Sequence, residues 1–208
     1  MNFYLLDDPA KPGEFARFSH VGTWSEGAIC KGCGELVGGE LVEPLQIEWN
    51  KGTERIGSFS WCGSTCVVTN EVRRFLEQAK ADCTFGRVEV MPPTEKTKRP
   101  RVPFPYTGPR LHWLIPTRRL SVNQTRSGVK LVSDCTQCGE KRYNFKRDGL
   151  VIDATTPGGT VLFVIDQFGK SGATFITEPL LAGLKAEGFT NLCPRLAGNF
   201  GGMIRGHR

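Results

Sequence analysis

The sequence has little that points to a membrane or to secretion. Its 208 residues contain no apolar run near the roughly 18 residues that a membrane-spanning helix needs. The segment from Met1 to Phe18 carries Asp7, Asp8 and Lys11, and it lacks a basic start followed by an apolar stretch, so it does not predict a signal peptide. We therefore expect a cytoplasmic protein in a reducing compartment, with no membrane contact.

Recognisable catalytic motifs are also missing. The chain contains no G-x-S-x-G, no P-loop and no G-x-G-x-x-G. None of its three histidines pairs with a carboxylate or another histidine at a metalloprotease spacing. His112 lies between Leu111 and Trp113, a context that is typical of a packed or surface histidine. The sequence therefore predicts a protein that is not an enzyme.

The composition is that of an ordinary globular chain with an excess of positive charge. Hydrophobic residues make up 39% and charged residues 23%, so a sizeable core is expected. The net charge of +6 is compatible with an anionic partner, either nucleic acid or an acidic protein surface. Much of the excess lies in one proline-containing segment, where a solvated connector is the alternative to a binding site. The candidate partner-binding residues in that segment are Lys96, Lys98, Arg99 and Arg101.

Cysteine carries the most specific signal in the chain. Two copies of the motif C-x-x-C-G run from Cys30 to Gly34 and from Cys135 to Gly139. Zinc prefers four soft ligands in a tetrahedron, and two such turns supply four thiolates, while the glycine fits a turn with positive φ. One structural Zn²⁺ per chain is predicted, and four unrelated buried thiols or a redox function are the alternatives. The predicted ligands are Cys30, Cys33, Cys135 and Cys138.

The other cysteines give a weaker signal. Cys62 and Cys66 are spaced C-x-x-x-C, which fits a helical turn or a loop, and a second metal site there is left open. Cys83 and Cys193 are single and distant. Buried, reduced thiols are the expected state, since free cysteine packs as a small hydrophobe. A thioredoxin-like function is not predicted, because neither C-x-x-C is followed by a good helix start.

A weak internal duplication organises the chain. Each cysteine motif is followed by predicted strands and then by an amphipathic helix, the first beginning near Asn70 and the second near Glu178. The apolar run from Thr160 to Ile165 predicts a central strand. The predicted fold is α+β, with two similar halves that each pack a helix on a mainly antiparallel sheet and share the zinc site. The predicted divisions are an N-terminal half 1–92, a proline-rich basic connector 93–109 and a C-terminal half 110–208.

The paired C-x-x-C-G motifs make the chain similar to the double C-x-x-C-G proteins, a family expanded as paralogues in myxobacteria. Its ending also resembles theirs, with an apolar strand at Leu162-Phe163, a helix start at Phe175 to Glu178 and a turn at Gly188-Phe189. The opening from Met1 to Leu5 resembles the short first strand of the family. Members include immunity proteins of swarming-inhibition toxin systems. The resemblance implies a non-enzymatic, zinc-stabilised protein that binds and neutralises a cognate bacterial toxin.

A zinc-ribbon-like nucleic-acid-binding regulator is the main competing hypothesis. The positive charge and the aromatic residues Phe104, Tyr106 and Trp113 near the basic segment are typical of nucleic-acid binding. Such a regulator would lose affinity for DNA or RNA steeply as salt rises. A thiol-dependent enzyme is the third possibility left open by the sequence.

Overall fold

The structure is a computed structural model that describes residues 2–8, 14–22, 24–94, 102–145, 149–153 and 162–199. Within these residues the fold is mixed, with mostly β-sheet and two α-helices. The strands are β1 (Phe3–Leu6), β2 (Arg17–His20), β3 (Gly27–Ile29), β4 (Leu36–Gly38), β5 (Leu45–Lys51), β6 (Phe59–Cys62), β7 (Thr65–Thr69), β8 (Cys83–Val90), β9 (Leu111–Pro116), β10 (Arg119–Leu120), β11 (Lys130–Asp134), β12 (Lys141–Asn144), β13 (Leu162–Ile165), β14 (Thr174–Thr177) and β15 (Pro194–Leu196). The α-helices are α1 (Asn70–Gln78) and α2 (Glu178–Ala186), and short 3₁₀ segments span Asp166–Ser171 and Ala197–Asn199.

The larger sheet has six strands in the order β2-β5-β8-β9-β7-β6. Its neighbours are antiparallel except for the parallel pair β5 and β8. The sheet curls so that its two edge strands, β2 and β6, approach each other. Cys62 Sγ at the end of β6 lies 3.9 Å from His20 Nδ1 in β2. Side chains alternate across β7, so Val67 joins an apolar cluster with β2 and β5 while Cys66 and Val68 join a different one.

The second sheet has five strands in the order β10-β13-β14-β1-β15. Only β10 and β13 are parallel among its pairs. Every residue of β13 is buried, and β13 lies between β10 and β14, as the apolar run predicts. Thr160 and Val161, at the start of that run, lie outside the described residues. Phe163 and Phe175 stack with ring centroids 5.6 Å apart on the face away from the helices.

The two α-helices begin at the predicted residues. α1 begins at Asn70, directly after β7, and α2 begins at Glu178, directly after β14. Thr69 and Thr177 occupy the N-cap positions, but neither side chain forms a capping hydrogen bond. The Glu178 N–H instead donates to the carbonyl of Asn2, beside β1, at 3.1 Å. In the described part of the chain, neither helix is long and apolar enough to cross a membrane.

One apolar cluster joins both sheets to both helices. Phe75 of α1 occupies the space above Gly183 of α2, where an added Cβ would lie 2.8 Å from Phe75 Cζ. Gly183 therefore allows the two helices to approach closely. The buried members of this central cluster are Leu6, Phe59, Trp61, Cys66, Val68, Val72, Leu76, Leu114, Leu162, Ile176, Leu180, Leu181 and Leu184.

The order of the strands bears on the predicted division of the chain. β1, from the N-terminus, pairs with β14 and β15 in the second sheet. β9, from the predicted C-terminal half, pairs with β7 and β8 in the first sheet. The mixture of helices and mainly antiparallel sheets is confirmed, whereas two similar halves are not. The boundaries 1–92, 93–109 and 110–208 stay predictions.

Candidate metal centre

The four cysteines of the C-x-x-C-G motifs meet at the tips of two small hairpins. β3 and β4 flank the turn with Cys30 and Cys33, and β11 and β12 flank the turn with Cys135 and Cys138. All four Sγ atoms lie within 4.8 Å of one another. The Sγ atoms of Cys30 and Cys135 are 3.8 Å apart, and those of Cys33 and Cys138 are 3.6 Å apart. A disulfide needs about 2.05 Å, so these are four free thiols, close enough together to share one metal ion.

The two cysteine turns have the same backbone geometry. The Gly34 N–H donates to the Cys30 carbonyl at 2.8 Å, and the Gly139 N–H donates to the Cys135 carbonyl at 2.7 Å. The glycines have φ of 74° and 73°, which confirms the predicted positive φ. A Cβ on either glycine would meet no heavy atom within 4 Å. Glycine is therefore favoured at both positions by its backbone angle and not by lack of space.

Backbone N–H groups point towards the sulfurs. The Gly32 N–H donates to Cys30 Sγ at 3.4 Å. The N–H groups of Cys138 and Gln137 lower the pKa of Cys135 to about 7. The Glu140 N–H likewise lowers the pKa of Cys138, but burial and the neighbouring thiols raise that pKa to about 12 overall. The backbone N–H groups thus favour thiolates, whereas burial and the neighbouring thiols raise the pKa values of Cys33 and Cys138. A cation between the sulfurs would favour the thiolate form of all four cysteines.

An ion pair and a glycine also allow the two hairpins to lie close together. Arg142 Nη1 of β12 lies 3.3 Å from Glu35 Oε1, which follows the first cysteine turn. A Cβ on Gly32 would lie 2.7 Å from Gln137 Oε1 and 3.3 Å from Cys135 Sγ. The absence of a side chain at Gly32 therefore lets the second turn approach the first, a role that the motif alone does not reveal.

The second metal site that the sequence leaves open at Cys62 and Cys66 is not found among the described residues. Cys62 and Cys66 lie on opposite strands of the β6-β7 hairpin, not in a helical turn. Burial raises the pKa of Cys66 well above its usual value, and it also raises the pKa of Cys83, to about 12. Among the described residues, the C-x-x-C-G cysteines are the one group of three or more possible ligands close enough to share a metal ion. The expectation of a buried, reduced thiol is confirmed for Cys66.

The structure does not test the predicted partner-binding residues. The basic residues Lys96, Lys98, Arg99 and Arg101 lie outside the described residues, so their role stays a prediction.

The histidine and the aromatic residues near the basic segment are described. His112 is packed, as expected, with Nε2 3.3 Å from Asn70 Oδ1. Tyr106 stacks on Trp49 and donates its hydroxyl hydrogen to the Pro109 carbonyl at 2.8 Å. Tyr106 is thus engaged within the fold and is not part of an open stacking platform for bases.

No protein-family model matches the chain, and no curated protein sequence matches it significantly. The resemblance to the double C-x-x-C-G proteins therefore rests on the motifs themselves, and the site's geometry is the main guide to function.

Proposed function

We propose that the four thiolates of Cys30, Cys33, Cys135 and Cys138 hold one structural Zn²⁺ per chain. With Zn–S bonds of about 2.3 Å, the edge of a tetrahedron is about 3.8 Å. The distances between the sulfurs of Cys30 and Cys135, 3.8 Å, and of Cys33 and Cys138, 3.6 Å, agree with that edge. Four sulfur ligands leave no open position for water, so this zinc is structural and not catalytic.

In this arrangement the metal crosslinks the two cysteine hairpins. It takes two ligands from each hairpin, and the hairpins are far apart in the sequence. Structural zinc contributes on the order of 10 kcal/mol to the folding of isolated finger peptides. The contribution here is smaller, because the chain has three apolar clusters of its own.

The identity of the metal can be tested directly. Purified protein should contain one zinc ion per chain by elemental analysis, and replacement of any one of the four cysteines with serine should lower that content. The Cys83→Ser variant, which removes a thiol outside the cluster, is the matched control and should keep its zinc. Tetrahedral thiolate sites also bind iron. A coloured, iron-containing protein would contradict the assignment of zinc.

We further propose that the protein acts by stoichiometric binding to a cognate bacterial toxin, which it neutralises without turnover. The observation that carries this proposal is the union of two C-x-x-C-G turns in one closed four-sulfur cluster. The two C-x-x-C-G motifs are the specific part of the resemblance to the immunity proteins of the double C-x-x-C-G family, and a closed thiolate site favours a scaffold over an enzyme. A preorganised scaffold also loses less entropy when it binds.

The test of this function is co-expression with the toxin encoded next to the gene. The protein should rescue growth of cells that produce the toxin, and the two should co-purify as a complex of fixed stoichiometry. The Cys135→Ser variant should rescue poorly, and Cys83→Ser should rescue fully. Normal toxicity in the presence of the protein, with no complex formed, would contradict the proposal.

The nucleic-acid-binding regulator remains the second candidate because of the net charge of +6. A titration with random duplex and single-stranded nucleic acid at several salt concentrations separates the two functions. Tight binding at physiological salt that weakens steeply as salt rises, with no toxin encoded nearby, would favour the regulator.

We also propose that the chain is a duplication. Each cysteine hairpin is followed, later in the chain, by two neighbouring antiparallel strands that lead directly into an α-helix, β6-β7-α1 in one case and β13-β14-α2 in the other. The identical geometry of the two cysteine turns supports this origin.

A further inference from the structure

Exposed apolar side chains are concentrated on the two cysteine hairpins. Ile29 is 65% exposed and Val132 is 66% exposed, although both lie in β-strands. Single exposed apolar residues are normal on a protein surface, but a group of them on neighbouring elements marks an interaction site. Of the large apolar residues that are exposed in the described part of the chain, all but Phe104 lie on these hairpins or at their base. They are Trp24, Ile29, Leu36, Val37, Leu131 and Val132.

The first hairpin continues beyond β3 and β4 as a longer two-stranded ribbon. Beyond the pairing of Gly27 with Gly38, the Gly39 N–H donates to the Glu26 carbonyl at 3.3 Å. The Ser25 N–H then donates to the Glu40 carbonyl at 2.8 Å, and Trp24 forms a β-bridge with Leu41. The ribbon, residues 24–41, therefore runs without a break from the cysteine turn at its tip to Trp24 at its base.

The base of this ribbon forms one wall of a cavity. The cavity has a volume of about 550 Å³ and extends to β9 of the first sheet and β13 of the second. Its walls are largely apolar, with Trp24 and Leu41 from the ribbon facing Trp113 and Val164 from the sheets. Arg119 also lines it, with Nη1 3.5 Å from Asp166 Oδ1. The volume is within the range of about 300–1,000 Å³ that is typical of ligand pockets.

The charges on the hairpins argue against a polyanion as the occupant. The basic residues of the second hairpin are Lys130, Lys141 and Arg142, and two of them form ion pairs. Lys141 Nζ lies 3.3 Å from Asp134 Oδ2, and Arg142 Nη1 lies 3.3 Å from Glu35 Oε1. The positive charge of the chain is also not located on the ribbon, which contains a single basic residue, Lys31. The acidic residues of the ribbon are Glu26, Glu35 and Glu40. Nucleic acid requires a basic surface, so an apolar protein segment fits better.

We propose that the ribbon, the second hairpin and the cavity form the docking surface for the partner protein. An apolar segment of the partner lies on Ile29 and Leu36 of the ribbon and on Val132 of the second hairpin, and it places one large apolar side chain in the cavity. Such an anchor side chain in a pocket, surrounded by weaker contacts, is the usual arrangement of a strong interface. The identity of the partner as the toxin rests on the proposed function, whereas the location of the surface rests on the geometry.

The test measures the affinity of full-length, zinc-loaded variants for the toxin. Ile29→Asp and Val132→Asp put a charge on the apolar surface, and Trp24→Ala removes the exposed wall of the cavity. Each should lower the affinity at least about tenfold. Phe104→Asp is the matched control, since Phe104 is an exposed apolar residue outside the hairpins, and it should leave the affinity unchanged.

Fold and metal content are monitored so that every result can be interpreted. The substituted side chains are exposed, so each variant should keep one zinc per chain and its circular dichroism spectrum. Hydrogen exchange of the wild-type complex gives a second measurement that needs no variant. Amides of residues 24–41 and 130–144 should become protected when the toxin binds.

Three results would overturn the inference, and they are distinguishable. Unchanged affinity of all three variants, with protection elsewhere in the complex, places the toxin on another surface and leaves the proposed function intact. No binding of toxin by the wild type removes the proposed function and this inference with it. A wild-type dimer that Ile29→Asp converts to a monomer shows that a second copy of the chain, and not the toxin, covers the surface.

Discussion

The body of the protein and its cysteine hairpins are held together by different forces. In the body, every residue of β13 and β14 is buried, and three apolar clusters fill the interior. In the hairpins, every residue of β3 and β11 is exposed. An isolated two-stranded hairpin is marginal in water, and exposed side chains add little stability. The first hairpin therefore depends mainly on the sulfur cluster, and the second depends on it and on Tyr143, which packs against an apolar cluster of the body. The body depends on apolar burial.

Loss of the metal should separate the two regions most clearly. In Cys135→Ser we expect the amides of residues 27–38 to exchange close to the rate of an unfolded chain, because the thiolate cluster that holds this hairpin is incomplete. Amides of residues 130–144 should exchange faster than in the zinc-loaded protein, by a smaller factor, because Tyr143 still packs against the body. Amides of β13 and β14 should stay slow to exchange. Hydrogen exchange with mass spectrometry measures both. Uniform loss of protection across the chain would show that the body also depends on the metal.

A core substitution should give the opposite result. Ile176 is fully buried, so Ile176→Ala should lower the free energy of unfolding by about 2–5 kcal/mol. The zinc content of the folded protein should stay at one ion per chain, since Ile176 belongs to a cluster that does not include the cysteine hairpins. Denaturant titration and elemental analysis test the two parts. Loss of zinc from the still-folded variant would contradict the separation.

The sequence predicted what local chemistry decides. The helix starts at Asn70 and Glu178 and the positive φ of Gly34 and Gly139 follow from short patterns, and they are confirmed. The sulfur cluster was also predicted, because one zinc ion needs four thiolate ligands and the two C-x-x-C-G motifs together supply four. These features depend on the few residues around each position.

The strand order and the docking surface could not be predicted in the same way. The pairing of β1 with β14 joins the two ends of the chain and depends on packing that no local pattern records. Val129 and Val132 are the same residue type three positions apart, yet Val129 is buried and Val132 is exposed. Only the position of the second hairpin in the fold decides which valine faces solvent.

The backbone angle of the cysteine turns provides a finer test. Gly139→Ala forces a residue with a side chain into a φ of 73°, at a cost of about 1–2 kcal/mol and without a steric clash. That strain opposes metal binding, so zinc affinity should fall about 5- to 30-fold. Gly188→Ala is the matched control: Gly188 has a φ of 71° and open space around it, but it follows α2. It should lower stability while zinc affinity, measured by competition with a chelator, stays unchanged. Equal affinity in all three proteins would show that the turn geometry is not critical for the metal.

The ion pair between the hairpins should have the smallest effect. Arg142 and Glu35 are both largely exposed, so Arg142→Ala should change zinc affinity by less than about 1 kcal/mol. Arg73→Ala removes a comparable ion pair with Glu77 on α1 and should leave zinc affinity unchanged. Chelator competition at low and high salt measures both. An effect of Arg142→Ala as large as that of a cysteine substitution would mean that charge, and not the metal, joins the hairpins.

The most direct test of the central claim is a cysteine accessibility map of the protein with and without its metal. Zinc-loaded protein is treated with an alkylating reagent, digested and analysed by mass spectrometry, and the experiment is repeated after chelation. One zinc per chain is expected, with Cys30, Cys33, Cys135 and Cys138 protected until the chelator is added and the other cysteines unaffected by it. Absence of zinc, or alkylation of those four cysteines that does not depend on the chelator, would contradict the claim that one metal ion joins the two hairpins.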